Sequence, residues 1–179
     1  RFANLASIQA KPMRLHPIRV RQGARSHTAV CREEGGVVKK VRELLEEKGA
    51  QVWSIAPEAS VFDALTMMAE KNVGALLVMD QRELVGILSE RDYTRNVALQ
   101  GRTAKESSVR DIMSGRPVCV GPEQSVEECM ALMTDKRVRH LPVIEGNRVL
   151  GLVSIGDAVK AIISEQQFMI EQLERYISS

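Results

Sequence analysis

The chain has 179 residues, 44% hydrophobic and 27% charged, with a formal net charge of +2 and aromatic residues at 3%. That is enough for one domain or two small ones, but too little net charge and too few aromatics for a nucleic-acid binder that works by phosphate neutralisation or base stacking. The longest apolar runs, such as Gly74-Ala75-Leu76-Leu77-Val78-Met79, are strand-length and far short of a membrane-spanning helix. Cys31, Cys119 and Cys129 are odd in number and lack metal-ligand spacing, which argues against a disulfide scaffold or a zinc site and fits a reducing compartment.

In chain order, residues 1–36 carry seven basic side chains (Arg1, Lys11, Arg14, Arg19, Arg21, Arg25 and Arg32) against Glu33 and Glu34. No acid occurs before Glu33, which is the composition of an organelle transit peptide, its retained remnant, or a basic tail. A start on Arg1 is the expectation for a trimmed chain. From Val37 to Lys48 the apolar positions Val37, Val38, Val41, Leu44 and Leu45 fall at helical spacing and Gly49 follows as a C-cap. This short amphipathic helix is expected to pack on the first repeat defined below. Residues 51–55 read as a strand ending before Pro57, and Ser60 with Asp63 starts a helix through Lys71. Two strands, 75–80 and 84–88, meet at the Gln81-Arg82 turn, and a helix runs from Ser89 to about Gln100.

A polar link, 102–108, leads to a strand at 117–120 and a helix from the Ser125/Glu128 capping box to Arg137. Strands at 140–144 and 149–153 flank the tight turn Glu145-Gly146-Asn147, and a long final helix starts near Ile155 and ends on the apolar stripe Phe168, Met169, Ile170, Leu173 and Ile177. The methionines Met67, Met68, Met130 and Met133 sit at helical spacing and read as core or as filler of a dimer face.

The organising feature is a repeat. Gly86-Ile87-Leu88-Ser89-Glu90-Arg91-Asp92 returns sixty-five residues later as Gly151-Leu152-Val153-Ser154-Ile155-Gly156-Asp157. At the same offset Pro57-Glu58-Ala59-Ser60-Val61 lies over Pro122-Glu123-Gln124-Ser125-Val126, and Leu76-Leu77-Val78 over Leu141-Pro142-Val143. Val41-Arg42-Glu43-Leu44-Leu45 resembles Val109-Arg110-Asp111-Ile112-Met113 at an offset of sixty-eight. A duplicated unit of this size buries its open face against its twin.

A β-α-β-β-α unit with P-x-x-S-V near its start, an L-P-V strand in its middle and G-h-h-S-x-x-D at its end resembles a CBS domain, and two in tandem resemble a Bateman module. The resemblance implies an α/β (α+β) fold of two CBS repeats packed pseudo-symmetrically as one module. The expected divisions are a basic extension (1–36), the first repeat (37–101), the link (102–108), the second repeat (109–164) and a C-terminal helical extension (165–179). The combination of Asn72-Val73-Gly74, Ser89-Glu90-Arg91-Asp92-Tyr93 and Arg139-His140 is similar to stand-alone two-CBS proteins of plant and algal organelles, the mitochondrial branch above all.

The resemblance further implies clefts between the copies that take an adenine nucleotide, AMP first, with no covalent cofactor. Ser89 and Asp92, and Ser154 and Asp157, would take phosphate and ribose hydroxyls. Ser54 and Ile55, and Cys119 and Val120, would wall the adenine. The cations for phosphate are Arg91, Arg139 and His140. Copy one has Gly74-Ala75 where copy two has Arg139-His140, so two equivalent sites are not expected.

For Ser89, Asp92, Ser154 and Asp157 the plain alternative is that they are helix caps. Nothing in the sequence assembles a nucleophile, an acid/base pair or a metal cluster, so a non-catalytic regulatory module is expected. Such a module would act as a homodimer on a partner protein, an organelle thioredoxin among them, in redox or energy-state control. The location implied is the mitochondrial matrix, with the chloroplast stroma as the alternative. The competing function is an accessory subunit of a large mitochondrial respiratory assembly with vestigial nucleotide sites.

Overall fold

The computed structural model describes residues 39–49 and 51–178, together with the backbone of Arg19 and Val20. The remaining N-terminal residues, with the basic extension and Cys31, lie outside the described residues. The fold is mixed α/β and divides into two compact units. One is built from Gln51–Gln81 and Val85–Gly115; the other takes 39–49, Arg82–Leu84 and 116–178.

In the first unit, β2 (Ser54–Ile55) pairs in parallel with β3 (Ala75–Asp80), and β3 neighbours β4 (Glu83–Ser89). The backbone of β1 (Arg19–Val20), which belongs with Glu83 and Leu84 to the second unit, pairs in parallel with those two residues at the start of β4. β3 is buried from Ala75 to Met79, as a central strand covered on both faces must be, whereas β4 alternates between buried and half-buried positions. Helix α2 (Val61–Lys71) starts where the Ser60 hydroxyl accepts from Asp63 N at 3.0 Å, and it ends on Asn72 in the left-handed region at φ 51°. Its buried side chains Val61, Ala64, Met67 and Met68 recur every three or four residues and meet Ile55, Leu76, Val78 and Leu88 in one core.

Helix α3 (Glu90–Asn96) follows β4 directly, and a single 3₁₀ turn takes the chain to Gln100. The 102–108 link is more than a polar tether. The Ser107 and Ala104 carbonyls accept from Val61 N and Phe62 N at 2.9 and 3.0 Å, supplying partners for amides that the first turn of α2 leaves unpaired. Ser107 itself is buried and donates its hydroxyl to the Thr103 carbonyl at 2.9 Å. Helix α4 (Val109–Ile112) adds Val109 and Ile112 to the same core.

The second unit contains α1 (Val41–Lys48), α5 (Val126–Lys136), the antiparallel pair β5 (His140–Glu145) and β6 (Arg148–Ser154), and α6 (Ile155–Ile177). The hairpin closes through Gly146 at φ 59°, a conformation that costs glycine little. Helix α5 begins with the expected capping box: Ser125 N donates to the Glu128 carboxylate at 2.9 Å and Glu128 N to the Ser125 hydroxyl at 3.1 Å.

Two expectations need correction. The strand expected at 117–120 shrinks to one parallel bridge between Val120 and Val143. In the first unit Leu77 N donates to the Trp53 carbonyl at 3.1 Å. The residue in Leu77's place is Pro142, which has no N–H, so the corresponding bond cannot form and the ladder keeps only the Val120 contacts.

The second correction concerns helix α1, which packs in the second unit and not on the rest of the first repeat. Val41, Leu44 and Leu45 join Val126, Met133, Leu141 and Val153 in that core, while α4 occupies the equivalent place in the first unit. The backbone fixes the exchange. Val41 N and Arg42 N donate to the Gln124 and Pro122 carbonyls at 2.9 Å, just as Val109 N and Arg110 N donate to Ala59 and Pro57.

Of the four methionines, Met67, Met68 and Met133 are buried as core, and Met130 is half-buried against the second core. The exposed large apolar residues cluster instead on α6.

Candidate functional site

Each unit carries the same polar device where its second hairpin strand passes into a helix. Ser89 N donates to Asp92 Oδ2 at 2.9 Å, the Ser89 hydroxyl donates to the same oxygen at 2.6 Å, and Asp92 N returns a 3.4 Å contact to Ser89 Oγ. In the second unit the three distances are 2.8, 2.6 and 3.2 Å for Ser154 and Asp157. The capping reading of these residues therefore holds in full. Among the described residues, no hydrogen bond involves the second oxygen of either carboxylate, so the cap leaves that oxygen as an acceptor for an incoming donor.

The surroundings of the two devices differ. In the second unit Lys48, in the last turn of α1, places its ammonium between the Asp157 carboxylate and the Leu152 carbonyl, the latter at 3.0 Å. Burial disfavours the charged form of Asp157, but the Lys48 and Ser154 hydrogen bonds outweigh it and hold the carboxyl below its ordinary pKa. No described residue forms an ion pair with Asp92. Sequence reasoning missed Lys48 because its partner lies 109 residues away and no local spacing connects them.

The other expected residues divide between the units. Ser54 and Ile55 form β2, half-buried and buried, with Ile55 against Val78 of β3. Arg91 is exposed in the first turn of α3. Cys119 and Val120 are buried, and Val120 makes the single bridge to Val143. Burial pushes the Cys119 thiol up to about 11 and that of Cys129, helped by the charges of Glu128 and Glu127, up to about 12. His140 opens β5 directly opposite Ser154, and the Arg139 carbonyl accepts from Ile155 N at 2.9 Å. Strand register thus gathers Arg139 and His140 beside Ser154 within one unit.

The repeated glycines explain how closely each N-terminal helix approaches its hairpin. A Cβ on Gly86 would lie 2.7 Å from Met113 Sδ and 2.9 Å from the Ser114 carbonyl oxygen; one on Gly151 would lie 2.6 Å from a Leu45 methyl. Both glycines make room for the segment that ends beside the Ser–Asp device. No group of three or more metal-ligating side chains occurs among the described residues.

The CBS-domain sequence profile matches residues 40–99 and 109–164. The chain belongs to the CBS-domain family. It is 42% identical to the CBS domain-containing protein CBSX3, mitochondrial, of Arabidopsis thaliana, an alignment spanning 72% of this chain and 65% of that relative's length. A crystal structure of a CBS domain superposes with a TM-score of 0.68 at 48% identity, covering 70% of this chain and 98% of the other. A CBS domain pair solved with 5′-methylthioadenosine and S-adenosyl-L-methionine shares the fold, at a TM-score of 0.63 and 18% identity over 72% of this chain and 98% of its own. The chain is thus a tandem CBS-domain protein resembling plant CBSX proteins, and CBS pairs are typically regulatory modules that bind adenine nucleotides.

Proposed function

We propose that this CBS pair is a non-catalytic adenine-nucleotide sensor, with AMP as its ligand, that modulates a partner protein. The observation that carries the reading is the duplicated Ser–Asp device, whose hydrogen-bond lengths agree within 0.2 Å between the units. A cap needs one carboxylate oxygen, and the other suits a ribose diol.

The site that fills first is assigned to Ser54, Ile55, Ser89, Arg91 and Asp92. Arg91 supplies the cation for phosphate, and no described residue is ion-paired with Asp92. Cys119, Val120, Arg139, His140, Ser154 and Asp157 form the weaker counterpart, because Lys48 already engages the Asp157 carboxylate. The module is placed in the mitochondrial matrix as a homodimer acting on an organelle thioredoxin. Its support is the likeness to a mitochondrial CBSX protein and the acid-free arginine-rich stretch before Glu33.

Calorimetric titration of the full chain with AMP, ADP and ATP tests the core of this reading. Asp92→Ala should weaken AMP binding by about ten- to a hundredfold, the usual loss for a contact to a charged group. AMP affinity unchanged in Asp92→Ala would overturn the assignment. Titration of a purified mitochondrial thioredoxin with and without AMP tests the partner.

A further inference from the structure

The unabsorbed feature of the fold is the outer face of α6. Ala158 and Ala161 turn inward and are buried, and with half-buried Ile162 they pack the helix on its own unit. A different face carries Val159, Ile163, Ile170, Leu173 and Ile177, exposed by 40, 57, 54, 58 and 82%. With Gln166 these positions step 4, 3, 4, 3, 4, the spacing of a coiled-coil seam rather than of a helix lying on a globular core. Isoleucine holds one seam position three residues before leucine or glutamine holds the other, so a narrow apolar strip runs through the last five turns of the helix.

We propose that this strip is a self-association surface that takes α6 of a second copy of the chain in antiparallel orientation. The seam is self-complementary about the level of residue 168, which sets the flanking Gln167 of the two copies beside the dyad. In the antiparallel register Val159 meets the partner subunit's Ile177, Ile163 meets the partner subunit's Leu173, and Gln166 meets the partner subunit's Ile170. Charge decides the direction: the same register sets Lys160 against the partner subunit's Glu174 on both sides of the dyad. Lys160 and Glu174 are exposed on the same flank of the seam. A parallel register would bury Gln166 against itself and leave Lys160 and Glu174 without each other. This inference rests on the homodimer reading above, and the variants below separate its failure from the failure of that reading.

Sedimentation equilibrium of the full chain should show a dimer at micromolar concentration. The double substitution I170E/L173E, on exposed positions, should raise the dissociation constant by about a hundredfold or more with helical content unchanged by circular dichroism. K160E should weaken the dimer and K160E/E174K should restore it. In a Cys31→Ser background, where Cys119 and Cys129 are buried, Gln167→Cys should cross-link to itself on mild oxidation. Ile163→Cys should cross-link to a Leu173→Cys chain and not to itself. A monomer overturns both self-association and the seam. A dimer indifferent to I170E/L173E and to the charge exchange overturns the α6 surface alone, leaving self-association to another face. Self-cross-linking of Ile163→Cys without that of Gln167→Cys overturns the antiparallel orientation.

Discussion

Lys48→Met is the substitution that best separates a structural from a functional account of the second Ser–Asp device. The change keeps the apolar stem and removes the ammonium that bridges the end of α1 to the start of α6 through Leu152 O and Asp157. The two side chains of the ion pair are 35% and 21% exposed, so solvent screens the pair and it lies near the top of the range for surface bridges, about 1 kcal/mol. The hydrogen bond to the Leu152 carbonyl adds about 0.5–1 kcal/mol. A loss of ~1.5 kcal/mol lowers the melting temperature of a chain this size by roughly 3–6 °C.

A double-mutant cycle with Asp157→Asn, read by urea denaturation at neutral pH, should return a coupling of about 1 kcal/mol. The folded-state pKa of Asp157 is depressed, so its contribution is full above the unfolded value near 4 and fades as pH falls through the folded value. The coupling must therefore vanish in acid. A cycle that returns less than about 0.3 kcal/mol at neutral pH, or one that persists in acid, refutes the ion-pair account. Under the nucleotide reading, Lys48→Met should also tighten AMP binding at the second, weaker site, since the freed carboxylate then matches Asp92.

The exchange of the N-terminal helices predicts that Leu45→Ala, which empties a buried position beside Gly151, costs about 2–4 kcal/mol. Hydrogen exchange should show that loss in the β5–β6 hairpin before β3; faster exchange in β3 first would contradict the packing. Gly86→Ala should destabilise more than Gly151→Ala, because the first meets a backbone carbonyl and the second a leucine methyl that can turn away. Equal melting temperatures for the two variants would refute this. In a Cys31→Ser background neither Cys119 nor Cys129 should react with a disulfide reagent at neutral pH before denaturant is added, since burial raises both thiols far above that range. Rapid modification of the native chain would end that description.

The elements and the twin Ser–Asp motif were legible in the sequence because both rest on local rules. Helix periodicity, the Ser60 and Ser125 caps and the glycine turn at 146 act within a few residues. What covers an apolar face is a different kind of question. Val41, Leu44 and Leu45 announce a buried stripe, and no local rule says which repeat supplies the cover. The same limit hid Lys48 from its carboxylate and made the methionines ambiguous between core and interface. The reduction of the 117–120 strand was within reach, since Pro142 stands in the repeat where Leu77 donates.

A signal for the exchanged helices was in fact present, in charge rather than in hydrophobicity. Arg110 pairs with Glu58 and lies 3.9 Å from Asp80; Arg42 pairs with Glu123 at 3.0 Å and with Glu145 at 2.7 Å. The acids in the second set stand sixty-five residues after those in the first, while the arginine stands sixty-eight residues before, so each helix carries the cation for the acids of the opposite repeat. The hydrogen bonds hold Arg42 and Arg110 above, and Glu58 and Glu123 below, their ordinary pKa values. All of these groups are solvent-exposed, and screened pairs of this kind select a partner more than they stabilise one. The burial of Val41, Leu44 and Leu45 therefore supplies the stability of the arrangement, and Arg42 its choice of acids. A charge reversal at Arg42 should accordingly leave the second core packed while loosening the first turn of α1, with amide exchange there rising and the β5–β6 hairpin unchanged. Equal loss of protection in helix and hairpin would mean that the ion pairs, and not the apolar stripe, hold α1 in place.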